Sequence, residues 1–175
     1  MAKTKVALIS LGCPKNLVNS EQMLYLMSEA GMELVSEPED ADTVVINTCG
    51  FIESAKSEAI ETIIEMGELK KAGRIKSIVA AGCLVQRYRD EILEELPEID
   101  ALLGTGSYGD IVEAVRASTK EKRFERLGDI DGVVEEMGRI VSTGPCWAYL
   151  RIAEGCNNRC AFCVIPYIRG KYRSR

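Results

Sequence analysis

The sequence predicts an α/β chain, a doubly wound and mostly parallel sheet followed by a short second segment. Three observations carry this reading. Over residues 1–120, short apolar runs alternate with stretches of helical period, the order that builds parallel sheets through crossover connections. Three of the runs end in a cysteine set just before the next helical stretch, at Cys13, Cys49 and Cys83. The composition, 46% hydrophobic and 28% charged, is that of a chain able to bury one core.

In order, KVALISLG (5–12) reads as a buried strand, and Leu17 to Ala30 as a helix with Leu17, Met23, Leu24 and Met27 on its apolar side. Glu33 to Val35 reads as a short strand and DTVVINTCG (42–50) as a long one. Ser54 to Lys71 reads as a helix with Ser54 as its N-cap and Gly73 closing it. IKSIVAAGC (75–83) is a third long strand, and Gln86 to Leu96 a helix ended by Pro97. ALLGTG (101–106) reads as the last strand and Asp110 to Lys120 as the last helix. Residues 121–144 mix charge with glycine and read as a linker with room for a hairpin. WAYLRIAEG (147–155) alternates into a new strand ending at Cys156. The expected organisation is therefore a domain over 1–120, a linker over 121–144, and an incomplete second domain over 145–175, cut early.

No run is apolar enough to span a bilayer, and the N-terminus lacks the hydrophobic core of a signal peptide, so a cytoplasmic chain without membrane association is expected. The net charge of −5 argues against broad attraction to nucleic acid, although RGKYRSR at the end is locally basic and could meet phosphate or ribosomal RNA. There are seven cysteines and no histidine, so metal chemistry must rest on thiolates and carboxylates.

Between Cys13, Cys49 and Cys83 lie 35 and 33 residues, too many for a local metal knuckle and about the length of one or two βα units. In SLGCPKN, INTCGFI and AAGCLVQ the cysteine sits just past the C-terminal end of a strand. In a parallel sheet those ends share one edge, so the three thiols are expected to converge there, where they could hold one cluster or merely pack as small buried side chains. The second set, Cys156, Cys160 and Cys163, is spaced Cys-x3-Cys-x2-Cys in EGCNNRCAFCVIP. That set is one ligand short of a closed tetrahedral site. Cys146 lies ten residues upstream across the expected strand, roughly 30 Å away, and is read as an incidental thiol.

EGCNNRCAFCVIP resembles the cluster loop of radical S-adenosylmethionine enzymes, while LGCPKNLVNSE, NTCGFIESAK and AGCLVQRY resemble the three cysteine motifs of the methylthiotransferase family. The resemblance implies two 4Fe-4S clusters and S-adenosylmethionine. Cys13, Cys49 and Cys83 would hold an auxiliary cluster that delivers sulfur. Cys156, Cys160 and Cys163 would hold the one that binds the cofactor, at the entry of a partial TIM barrel. No catalytic residue beyond these ligands is expected, and the fragment alone is expected to be inactive. GCPKN, NTCGFI and GCLVQRY look more like the branch that modifies an aspartate of the small-subunit ribosomal protein at the decoding centre than like the branch that modifies isopentenylated adenosine in transfer RNA. The ribosomal protein or ribosome would be the substrate partner and a reductant protein the electron donor. RNA contact would come through parts outside this chain. A non-catalytic zinc or iron–sulfur module is the competing class, and a ferredoxin is disfavoured because ferredoxins close each cluster with four cysteines.

GTGSYG (104–109) fits a dinucleotide fingerprint but follows the expected last strand, so its glycines are read as serving a strand-to-helix turn. EILEELPEID is read as a solvated helix face.

Overall fold

The computed structural model describes residues 3–120, 123–133 and 137–175. Six strands form one sheet: β1 (Lys5–Ser10), β2 (Glu33–Leu34), β3 (Thr43–Thr48), β4 (Ser77–Gly82), β5 (Ala101–Leu103) and β6 (Phe124–Arg126). Their order is β2-β1-β3-β4-β5-β6, and every neighbouring pair is parallel. The direction of chain progression reverses between β1 and β3, which is where ligands of open parallel sheets bind.

Alternate residues of the central strands feed two core layers, as the two-residue period of a strand requires. Val44, Ile46, Ile78, Ala80 and Leu102 pack on one face with Ile63 of α2 (Glu53–Lys71), Leu84 of α3 (Cys83–Arg87) and Ile92 of α4 (Arg89–Glu95). Val45, Val79, Ala81 and Leu103 pack on the other with Met23 and Met27 of α1 (Pro14–Glu29) and Ile111 and Val115 of α5 (Ile111–Ser118). The sheet is thus covered on both sides, as predicted.

Several expectations are corrected. Ser54 does not cap α2; the helix opens at Glu53 after Ile52, with no side-chain capping bond. Gly73, at φ +72°, does close it, its N–H donating to Lys70. The helix expected over Gln86 to Leu96 is two helices, because Tyr88 leaves helical geometry at φ −126° and ψ 34°. Its ring sits against Lys56 and Arg87, 4.8 Å from each charge. ALLGTG is not the last strand. Phe124 N–H donates to Asp100 O and Gly104 N–H to Arg126 O, so the segment read as a linker extends the open edge of β5 with a sixth strand rather than a hairpin. Parts of that linker reading, at 121–122 and 134–136, lie outside the described residues.

The strand expected over 147–155 shrinks to β7 (Ala153–Glu154), which pairs antiparallel with β8 (Arg173–Ser174). Alternation makes a strand only where a neighbour supplies the ladder, and Trp147, Leu150 and Ile152 stand exposed instead. The separation argued for Cys146 from a nine-residue strand loses that basis. Between β7 and β8 run the second cysteine loop and α6 (Ile165–Arg169). Among the described residues no helix is long and apolar enough to cross a membrane.

Candidate functional site

Three turns at the C-terminal edge of the sheet are drawn together by glycines. After β1 the chain turns at Gly12, φ +89°, where a Cβ would stand 2.6 Å from the Cys49 Cβ. β4 ends at Gly82, φ +100°, where a Cβ would stand 2.5 Å from Asn47 Oδ1. A Cβ on Gly50 would stand 2.8 Å from Leu84 Cα, so the turns after β3 and β4 touch through backbone. Cys13, Cys49 and Cys83 follow three adjacent strands and reach the same edge, flanking the switch point.

All three line one predominantly apolar cleft of about 830 Å³, whose lining also includes Ile165, Ile168 and Arg169 of α6 and Phe51 and Ile52. Cys49 and Cys83 are buried, at 6% and 7% exposure, while Cys13 is exposed at the N-terminus of α1. The seven cysteines are all free thiols. Burial pushes the Cys83 thiol above its ordinary value; the Arg169 guanidinium opposes this, and Cys49 and Cys13 add to the rise.

A polar network lies behind the cysteines. Asn16 is fully buried in the first turn of α1 and donates to Leu11 O at 3.0 Å and Thr48 O at 2.9 Å. Its Oδ1 accepts from Arg169 at 2.5 Å and faces the Cys83 thiol at 3.7 Å. Arg169 also donates to Asn19 Oδ1 at 2.9 Å and Cys83 Sγ at 3.3 Å, and pairs with Glu154 at 3.6 Å. Burial works against the Arg169 charge, but Tyr108, Cys83 and Glu154 outweigh it and hold the guanidinium above its ordinary range. Burial likewise lifts Glu154, and Arg169, Lys15 and Arg151 outweigh it to hold that carboxyl below the usual carboxylate range.

The second cysteine set has a different setting. Cys160 is exposed, Cys156 and Cys163 are half-buried, and the loop is pinned by Cys156 N–H to Gly170 O at 3.0 Å and Cys163 N–H to Cys160 O at 3.1 Å. Among the described residues no three cysteines or carboxylates stand close enough to share one metal ion. A single zinc requires thiolates about 2.3 Å from one centre. A polynuclear cluster gripped at three corners spreads its ligands more widely, and the apolar cleft that the first set lines has room for one. The first set therefore fits a cluster by donor chemistry and by cavity, the second by donor chemistry and spacing.

GTGSYG belongs to a different contact. A Cβ on Gly106 would stand 2.7 Å from Gly128 O, and Gly128 N–H donates to Ser107 Oγ at 2.7 Å, so these glycines let the turn after β5 pack on the segment after β6. The sequence reading missed Asn16, Asn19, Glu154 and Arg169. A signal was present: residues 16, 20, 23 and 27 continue one helical stripe, so the polar residues at its start lie on the buried face of the helix bearing Met23 and Met27.

Comparison with known proteins gives two results. A family model described as "Uncharacterized protein family UPF0004" matches residues 5–104. Curated relatives match almost the whole chain: one from Clostridioides difficile (strain 630) is 49% identical over 98% of this chain. Others come from Thermoanaerobacter sp. (strain X514), 50% identical over 97%, and Acetivibrio thermocellus, 46% identical over 99%. Each of those relatives carries the name "Ribosomal protein uS12 methylthiotransferase RimO". The chain spans 39%, 39% and 40% of their respective lengths.

Proposed function

The chain belongs to the UPF0004 family, and from its likeness to the curated relatives we propose that it is part of a ribosomal protein uS12 methylthiotransferase working with two 4Fe-4S clusters and S-adenosylmethionine. The observation that carries this is the meeting of Cys13, Cys49 and Cys83 on one apolar cleft, in a chain about 49% identical to relatives of that name. Cys13, Cys49 and Cys83 would hold a sulfur-delivering cluster, and Cys156, Cys160 and Cys163 would hold the one that binds the cofactor. With three protein ligands each, such clusters would keep a metal position for an exogenous group, the logic of any open catalytic metal site. When bound, these groups supply radical hydrogen abstraction and methylthio transfer.

The chain's own residues do the rest. Phe51, Ile52, Ile165 and Ile168 line the cleft and make most of its surface apolar. Gly12, Gly50 and Gly82 let the three thiol-bearing turns approach. Residues 145–175 are read as the entry to the radical domain, while β6 (Phe124–Arg126), within the segment before it, belongs to the sheet domain. A ribosomal substrate fits a cytoplasmic protein, with a reductant protein as electron donor.

The test uses the protein at the full length of these relatives, reconstituted anaerobically with iron and sulfide, then given reductant, S-adenosylmethionine and ribosomes. Mass spectrometry should find a methylthiolated aspartate in protein uS12 and no change in isopentenylated transfer RNA. Modified adenosine with unmodified uS12 would replace this reading by the transfer-RNA one. Zinc uptake without sulfide-dependent absorption would replace it by a non-catalytic module.

A further inference from the structure

Arg169 stands six residues after Cys163, at the end of α6, yet its guanidinium lies against the other cysteine set. The residue is 4% exposed. A buried guanidinium is tolerated only where its donors are matched, because an unpaired buried charge is strongly unfavourable. Here each partner is held by something else. Asn16 is fixed by the carbonyls of Leu11 and Thr48, and Glu154 by its place in β7 and by Lys15 and Arg151. The Tyr108 ring lies 6.0 Å below the guanidinium. The rigid fork of donors therefore cannot turn away from Cys83 Sγ without unpairing Asn16, Asn19 or Glu154.

Resting on the reading above, we propose that Arg169 is a positioning residue for the first site: delivered by the helix that follows the second cysteine loop, it donates to Cys83 Sγ and sets the reduction potential of the cluster held by Cys13, Cys49 and Cys83. The physical reason is charge. A reduced cluster is one unit more negative than an oxidised one, so a fixed cation and an N–H donor on a ligand sulfur favour the reduced form and raise the potential. Burial leaves that interaction weakly screened by salt. The link also makes the first site depend on the docking of α6. The loop that carries the second cysteine set thus reaches the first through one side chain.

The experiment uses the protein at the full length of these relatives with Cys156, Cys160 and Cys163 replaced by alanine, so that a single cluster assembles, and titrates its potential by absorption and paramagnetic resonance. Arg169→Met should shift the midpoint to more negative potential. Arg169→Lys, which keeps the charge and loses the fork, should fall between. A role confined to packing would lower thermal stability and leave the potential of both variants where it was, and that result overturns the proposal. If Arg169→Met does not fold, Arg169→Lys alone decides, an unchanged potential being the overturning result. If that protein with Arg169 intact assembles no cluster, the functional reading fails and this proposal with it; if it does and the potential ignores Arg169, only this proposal fails.

Discussion

Asn16 shows how much of the site rests on single side chains. It has no exposed surface, and its amide joins the end of β1, the end of β3 and the Arg169 guanidinium. Asn16→Ala leaves two backbone carbonyls and one guanidinium nitrogen short of a partner, and denaturant unfolding should record a loss of about 1–3 kcal/mol or more. Asn16→Asp keeps the acceptor for Arg169 but loses both donated bonds, so it should also destabilise; an unaffected Asp variant would mean the carbonyl bonds contribute little. Gly82 is a backbone case. Its φ of +100° and ψ of −154° lie in a region only glycine occupies at ease. Gly82→Ala should lose about 1–3 kcal/mol from the backbone alone. It should also lower iron uptake, since a Cβ there meets Asn47 and Thr48 and displaces the turn that carries Cys83. Full iron content in a destabilised Gly82→Ala chain would separate the turn from the site.

Among the elements, α2 was legible as a helix but its cap was not, since a serine near a helix start competes with whichever residue the strand end places there. Its buried face makes a clean test. Ile63 has no exposed surface and packs in the core layer, whereas Ile64 beside it is 47% exposed. Ile63→Ala should destabilise by about 2–5 kcal/mol and Ile64→Ala by roughly 0.5 kcal/mol or less, both read from urea midpoints. Equal losses would mean the helix is rotated from the orientation described. β6 was not legible because three residues, FER, carry no period. They become a strand only because β5 offers an unpaired edge, a fact about the sheet rather than about those residues. The reverse holds for WAYLRIAEG, whose alternation is strong and whose strand among the described residues is Ala153 and Glu154, with one further backbone bond from Arg175 N–H to Ile152 O.

On the scale of the whole molecule, residues 137–175 fold back over α1 and supply the wall of the cleft. Ser142 donates to Glu21 Oε1 from both its backbone N–H, at 2.6 Å, and its hydroxyl, at 2.8 Å, and Lys15 donates to Ala153 O at 2.8 Å. Thr105 Oγ1 donates to Ile168 O at 2.5 Å, and Ile168 is 1% exposed. Ile168→Asp places a carboxylate in that apolar seat and should undock α6 while leaving the sheet intact. Hydrogen exchange at Tyr167 and at position 168, whose N–H groups bond to Val164 O, should then accelerate with no change in β3 or β4. Unchanged protection at both would show that α6 is held by its backbone and Arg169 rather than by this side chain.

Local pattern was enough for the parallel sheet, its two covering layers and the common edge reached by Cys13, Cys49 and Cys83, because strand period, helix period and the position of a residue after a strand are read within a dozen residues. The Cys-x3-Cys-x2-Cys loop was equally plain as spacing. Tertiary structure alone decided which buried polar groups stand behind those thiols, since Arg169 meets Asn16 across 153 residues and Cys83 across 86. No periodicity encodes such a pairing. It arises because a charge that leaves water must find matched partners wherever the fold places them, and here the fold places them at the end of β4 and the start of α1.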